Sequence, residues 1–290
     1  MNPTSDGAAT TRLVIRDNLL ADYADVYTAD ALAALEALAP FNRAQKRLMA
    51  ERIARRTKRF HDRETIRFLD PEATIPRTEI IVQDARDGKF AGPEIPRDLQ
   101  RQWIQGTGPA SKPNAPLKSS LRNVAYALLS GADGWMFDGE DALGQINTMS
   151  LDSQRCLKLA IQEDPLFLEV AEQVATDMNR WAEGFFGRPI IDDWRAQLGF
   201  TTKIFRARGL HLDDRHIRDI DGQGFSASIV DMTLYVVNNY RRLISAGSSI
   251  VLYLPKIQTA EEAALWNEMI SALETHLGLD DGTIKVYVLV

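Results

Sequence analysis

Apolar residues recur at helical spacing over several long stretches of the 290-residue chain. Leu32, Leu35 and Leu38 follow Thr28-Ala-Asp30, an N-cap signal, and Pro40 closes that helix. A second helix starts near Asn42 and carries Leu48, Met49 and Ile53. The same period runs from Leu117 to Leu129, from Ser228 to Ser245, and from Ala260 to Leu277, which stops at Gly278. Residues 151–186 hold one or two amphipathic helices, with Leu157, Ile161, Leu166, Val170, Val174 and Met178 among the apolar positions. Between these lie short, nearly continuous apolar runs: Gly134 to Phe137, Lys203 to Arg206, Ile250 to Leu254 and Thr283 to Val290. Runs of that length and continuity predict strands buried on both faces. Residues 1–20 read as a loose start.

Residues 70–116 break the pattern. Pro71, Pro76, Pro93, Pro96, Pro109, Pro113 and Pro116 interrupt any long element. This stretch predicts an irregular connection with one short strand, Glu79 to Val82. It sets a boundary between a helical region with its linker, residues 1–115, and a second region, residues 116–290. In the second region strand and helix alternate, which is the pattern of a parallel α/β sheet. About four strands are countable, half the number in a closed eight-stranded barrel. A half-barrel would leave an apolar strand edge open.

Composition narrows the class. The chain is 45% hydrophobic and 26% charged, as soluble globular proteins are, and its net charge of −6 argues against nucleic acid and anionic membranes as partners. No apolar run approaches the length needed to span a bilayer. Cys156 alone cannot form an internal disulfide, which fits a cytoplasmic location. Arg52, Arg55, Arg56, Lys58 and Arg59 make the second helix the most basic stretch. They form either a solvated face or a contact with an acidic partner or a CoA phosphate.

Three segments carry candidate chemistry. Asp138 and Glu140 are two apart, so they point to one side while the backbone stays extended, and they close a strand where parallel folds place their sites. Such acids fit magnesium, its waters, or a nearby arginine; a plain loop cluster fits as well. Arg206 and Arg208 close another strand, and a buried arginine needs an anionic partner, whether a substrate, a developing enolate, those acids or a structural ion pair. Lys256 follows Tyr253-Leu-Pro255 at a third strand end, facing an acid, a phosphate or water. His211 and His216 lack the companions of a zinc site. Gly106-Thr-Gly108-Pro lacks the ending of a phosphate loop. Cys156 and the tryptophans read as packing residues.

Taken together, these segments resemble the malate synthase family. Ala132-Asp-Gly-Trp-Met-Phe-Asp-Gly-Glu-Asp141 is similar to the family's strand ending in Asp-Phe-Glu-Asp-Ser. Phe205-Arg-Ala-Arg-Gly-Leu-His-Leu212 is similar to its Arg-x-Arg-Gly-(Leu/Trp)-His-Leu segment. Asp231-Met-Thr-Leu-Tyr235 and Gly247-Ser-Ser-Ile-Val-Leu-Tyr-Leu-Pro-Lys256 come next in family order, as do Glu262-Ala-Ala-Leu-Trp266 and Gly282-Thr-Ile-Lys285. The likeness is closer to the shorter A-type form. It implies an N-terminal helical region and then the first half of a (β/α)₈ TIM barrel, so that a truncated chain is expected. It implies an Mg²⁺-dependent acyltransferase of the glyoxylate bypass, beside the tricarboxylic acid cycle, that condenses acetyl-CoA with glyoxylate to give malate and CoA. By position Arg206 corresponds to the catalytic arginine, which binds glyoxylate and stabilises the enolate oxygen. Asp138 and Glu140 correspond to acids beside the metal, in a second shell or acting through water. Direct metal ligands and the catalytic aspartate are expected beyond Val290, so the chain alone is expected to be inactive.

Three departures bear on this. Ala142 stands for a serine, Gly139 for a phenylalanine and Asn238 for a histidine. They leave room for a divergent subgroup with another 2-oxo acid or acyl-CoA. The competing readings are a malyl-CoA or citramalyl-CoA lyase on the same barrel and a short non-catalytic protein that acts through a partner.

Overall fold

A computed structural model describes residues 13–76, 78–107, 112–141 and 146–289. The first elements are β1 (Leu13–Ile15), α1 (Leu19–Asp22), α2 (Ala29–Leu38), α3 (Phe41–Asp62) and α4 (Val82–Arg86). Then come β2 (Trp103–Thr107), α5 (Leu117–Leu128), β3 (Gly134–Asp138), α6 (Met149–Ile161), α7 (Pro165–Phe186), α8 (Trp194–Phe200) and β4 (Thr202–Arg206). The chain continues through β5 (Asp213–Asp219), β6 (Gly224–Ser226), α9 (Ala227–Ser245), β7 (Ile250–Leu254), α10 (Ala260–Leu277) and β8 (Ile284–Val288).

The main sheet has the order β2-β3-β4-β7-β8 with every neighbouring pair parallel. Helices link the strands, as the alternating pattern requires. The result is an α/β fold matching part of a TIM barrel, and among the described residues the barrel is not closed. Its fifth strand is β2, which lies within the stretch expected to be a proline-rich connection. Trp-Ile-Gln-Gly-Thr gives no apolar run, because Gln105 turns toward Asp138. Gly106 is needed there: a Cβ would lie 2.0 Å from the indole nitrogen of Trp135. The strand expected at Glu79 to Val82 is a single bridge, Thr74 with Ile81, followed at once by α4.

The other predicted elements are present with small shifts at their ends. Thr28 caps α2 by accepting from Ala31 N–H, and Gly278 ends α10 in the left-handed conformation. The 151–186 stretch is two helices, broken where Glu163 takes φ +54° and Asp164 caps α7. The expected loose start holds β1 and α1 from Leu13 on, and its earlier residues lie outside the described ones. So do Gly108, Pro109, Ala142 and Val290.

Alternation along the strands makes two faces. Trp135, Phe137, Phe205 and Leu252 join the large core beneath the helices, which also takes in Leu19, Tyr23, Val26, Leu35 and Leu38 from the N-terminal region. The helical region and the barrel strands therefore share one core. Met136, Ile204 and Val251 pack on the opposite, concave face with Trp103, Tyr253 and Tyr287. A small antiparallel sheet, β1-β5-β6, ties the start of the chain to the segment after β4. Among the described residues no helix is long and apolar enough to cross a membrane.

Lys203, on the helix-facing side of β4, donates to the Leu198 carbonyl, and burial pushes its ammonium down to about 8. The unfolded chain then binds more protons than the folded one between about pH 8 and the ordinary lysine range, so stability rises with pH across that window. Lys203→Met is expected to be more stable than the parent at pH 7, with the advantage shrinking as pH rises from about 8. Urea unfolding at several pH values checks this; a pH-independent difference contradicts it.

Candidate active site

Strand register assembles the site. Asp138 pairs with Arg206 across β3 and β4, Arg206 with Tyr253 across β4 and β7, and Tyr253 with Tyr287 across β7 and β8. These residues form one row at the C-terminal rim of the sheet. Beyond Asp138 the chain turns sharply. Asp138 Oδ1 accepts the N–H groups of Glu140 and Asp141, each at 3.0 Å, and Gly139 N–H donates to the Arg206 carbonyl at 3.0 Å. A Cβ on Gly139 would lie 2.7 Å from that carbonyl oxygen. Glycine allows this close approach of β3 to β4.

The turn brings three carboxylates onto one guanidinium. Arg206 Nη1 lies 3.1 Å from Asp138 Oδ2, and Nη2 lies 2.7 Å from Glu140 Oε2 and 2.9 Å from Asp141 Oδ2. Asp138 and Glu140 are buried, whereas the Asp141 side chain is 53% exposed. Gln105 donates to Asp138 Oδ2 at 2.8 Å, and the guanidinium sits 5.8 Å from the centre of the Tyr253 ring. Lys256 adds a second cation, 3.0 Å from Asp141 Oδ1 and 3.4 Å from Glu140 Oε1. His211 Nε2 stands 3.9 Å from the same Glu140 oxygen. Gly209 leaves room for this meeting, since a Cβ there would lie 2.7 Å from Glu140 Oε1 and 2.8 Å from His211 Nδ1.

Burial and charge act in opposite directions here. Burial raises the Glu140 carboxyl above its ordinary value, against the pull of Arg206 and Lys256. The Lys256 hydrogen bond leads the causes that hold Asp141 below the usual carboxylate range. Burial works against the charged form of Lys256, but the two acids outweigh it and raise the ammonium. Burial and the nearby cations Lys256 and Arg52 lower His211, which favours a neutral imidazole at pH 7.

The basic helix α3 braces this rim. Gln45 donates to the Leu210 carbonyl and Lys46 pairs with Asp213. Arg52 donates to the Lys256 carbonyl at 3.3 Å and pairs with buried Glu262 at 3.4 Å. Arg55 reaches the other Glu262 oxygen at 3.7 Å. Lys256 itself takes φ +54°, a left-handed conformation that the Arg52 contact helps to hold. Part of the acidic partner of this helix is therefore the chain's own α10.

Arg208 serves differently. It is 1% exposed, with Nε 2.8 Å from Asp231 Oδ2, and Nη2 at 2.6 Å from both Asp231 Oδ1 and Asp214 Oδ2. Asp214 Oδ1 also accepts the N–H groups of His216 and Ile217. This is the structural ion pair left open by the sequence, and it clamps the segment after β4 to α9.

Asp138, Glu140 and Arg206 thus meet, but through the turn after Asp138 and not along the extended backbone that their spacing assumes. Lys256, for which the sequence leaves an acid, a phosphate or water as partner, joins them. Asp141 and His211 carried no site role in the sequence, and Gln105 lies on the strand that the sequence does not signal. As direct magnesium ligands these acids fit poorly. Asp138 Oδ1 accepts two amides and Oδ2 faces Gln105 and Arg206. Glu140 Oε2 faces Arg206, which leaves Glu140 Oε1 as the one oxygen of the two acids without a hydrogen bond. Among the described residues no group of three or more His, Cys, Asp or Glu side chains could hold a metal ion.

A family described as the malate synthase TIM barrel domain matches residues 202–290. Malate synthase of Myxococcus xanthus (strain DK1622) is 30% identical over 279 residues, 96% of this chain and 44% of that protein. Malate synthase of Streptomyces clavuligerus is 29% identical over 258 residues, 89% of this chain and 42% of that protein. Malate synthase A of Escherichia coli (strain K12) is 29% identical over 209 residues, 72% of this chain and 33% of that protein. The chain belongs to the malate synthase family. It spans less than half the length of these relatives.

Within the malate synthase frame, one departure is away from the site. Asn238 donates to the Val26 and Leu234 carbonyls, each at 2.9 Å, and accepts from Lys158 at 3.2 Å. It joins α9 to α6 and to the N-terminal segment, so its change from histidine does not touch the arginine cluster.

The Arg208 clamp generates a stability prediction. Asp231→Ala leaves a buried guanidinium with half its partners, and a loss of about 3–5 kcal/mol is expected. Denaturant unfolding measures it; a loss near zero is incompatible with the clamp.

Proposed function

We propose that this chain carries the arginine side of a malate synthase-type acyltransferase site, which condenses acetyl-CoA with glyoxylate to give malate and CoA. The observation that carries this reading is Arg206 at the C-terminal rim, held flat by buried Asp138 and Glu140. Family membership supports it.

In this reading Arg206 binds the glyoxylate carboxylate and stabilises negative charge developing on the enolate oxygen of the thioester. A planar guanidinium suits both, since it presents several donors at fixed angles. Asp138 and Glu140 hold that plane in place, and Gln105 fixes Asp138 from the neighbouring strand. Lys256 pairs with Glu140 and Asp141 and orients them. Mg²⁺ belongs to the proposal as the Lewis acid that polarises the aldehyde carbonyl. Asp138 and Glu140 would stand beside the ion and orient its water through Glu140 Oε1, while its direct ligands would come from elsewhere.

Two experiments test this. These 290 residues, joined to the C-terminal remainder of the Myxococcus malate synthase, are expected to release thiol from acetyl-CoA in the presence of glyoxylate and Mg²⁺. Arg206→Lys in that fusion is expected to lose roughly 100-fold or more in turnover, because a point charge cannot replace the fork. Near-normal turnover of the variant would rule out the role given to Arg206. The 290-residue chain by itself is expected to show no thiol release above background in the same assay. Substantial release would overturn the view that further residues complete the site.

A further inference from the structure

Lys203 lies apart from the arginine cluster and has no part in the proposed reaction. Its neighbours along β4, Ile204 and Arg206, face the concave side, so Lys203 points to the helices. There it lines a pocket of about 30 Å³, walled by Leu128, Ile161, Leu198 and Leu243 and edged by Glu163 and Arg242. That is room for about one water-sized group. One N–H of the amine donates to the Leu198 carbonyl.

The charges around the amine are mostly positive. Arg242 reaches it from α9 and Arg101 from the segment before β2, and both disfavour the ammonium. Glu163, which favours it, is held by Arg242 at 2.8 Å. Arg101 is fixed over the Phe200 ring, 3.9 Å from its centre, and donates to the Phe200 carbonyl at 2.5 Å. Burial outweighs Glu163, so an amine in this place is easily neutral, and without its charge two cations and one anion remain around it.

We propose that Lys203 is a carbon dioxide site, where the amine is converted to a carbamate. The Nζ lone pair forms a bond to the carbon of carbon dioxide. One C–O π pair moves onto oxygen, and Nζ gives up one proton to water. Nothing is oxidised or reduced. The remaining N–H keeps the Leu198 carbonyl. The new carboxylate gains Arg242 and Arg101, which repelled the ammonium. The small pocket excludes larger carbonyl compounds. Burial supports the step by pushing the amine down to about 8, which leaves roughly a tenth of it neutral at pH 7.

The experiment uses the intact chain, equilibrated with ¹³C-labelled bicarbonate, trapped with triethyloxonium and digested for mass spectrometry. A labelled ethyl carbamate is expected on the Lys203 peptide, several-fold above the exposed Lys58, Lys89 and Lys118. The trapped fraction should rise between about pH 6.5 and about pH 8.5 as the amine loses its proton. It should vanish in Lys203→Arg and fall several-fold in Arg242→Gln, which keeps the lysine. No adduct on Lys203, equal labelling of the exposed lysines, or full labelling in Arg242→Gln would each overturn the proposal.

Discussion

The Arg206 guanidinium and the buried acids beside it are the constraint on which the rim of this sheet depends. A buried arginine stripped of a partner costs several kcal/mol, whereas a complete set roughly offsets its own desolvation. The cluster therefore adds little net stability and a great deal of specificity. It requires β3 and β4 to lie in the register that puts Asp138 opposite Arg206. A slip of one residue would turn Arg206 and Ile204 to the helices and Phe205 to the concave face. The same register carries on to Tyr253 and Tyr287. One ionic contact thus fixes the order of a row that crosses four strands.

The N-terminal helices matter to this rim as much as the strands do. α3 reaches Leu210, Asp213, Lys256 and Glu262, all of which flank the cluster. Buried Glu262 anchors Arg52, Arg52 holds the Lys256 backbone, and the Lys256 ammonium holds Glu140 and Asp141. The two cations, Arg52 and Lys256, each face an acid and are joined through the Lys256 backbone carbonyl, so each charge in this chain is compensated. A basic helix on an acidic protein has its explanation here, at least for Arg52 and Arg55.

Legibility in the sequence depended on which signals are local. Helix period and caps at Thr28 and Gly278 depend on neighbours in the chain, and those elements were legible. So were the β3, β4 and β7 strands, whose apolar runs reflect burial on both faces, and β8, although Val286 and Val288 on it are exposed rather than buried as its apolar run predicts. β2 was not, because Gln105 serves a carboxylate on the next strand and Gly106 makes room for Trp135. Both are long-range reasons that leave no local pattern. The spacing of Asp138 and Glu140 left a plain loop cluster open, the resemblance alone joined them to Arg206, and spacing gave Arg206 and Arg208 equal standing. Only the positions of Asp214 and Asp231 separate the structural arginine from the one at the rim. Lys256 gave an ambiguous signal because its role is set by Asp141 and Glu140, far away in sequence.

The three acids on Arg206 are not equivalent, and the difference bears on how an anionic substrate would enter. Asp138 is tied down by two amides and Gln105, and Glu140 is buried against Lys256. Asp141 alone of the three is open to solvent, where an ion pair is worth at most about 1 kcal/mol. A small carboxylate replacing Asp141 on Nη2 would exchange one exposed pair for another and leave the buried pairs intact. Lys256 would keep its ion pair with Glu140. The buried acids then act as a frame that keeps the guanidinium planar and aimed, while the exposed one occupies the substrate's place until it arrives. On the proposed reading, preorganisation and access are thus divided between different side chains of one short turn.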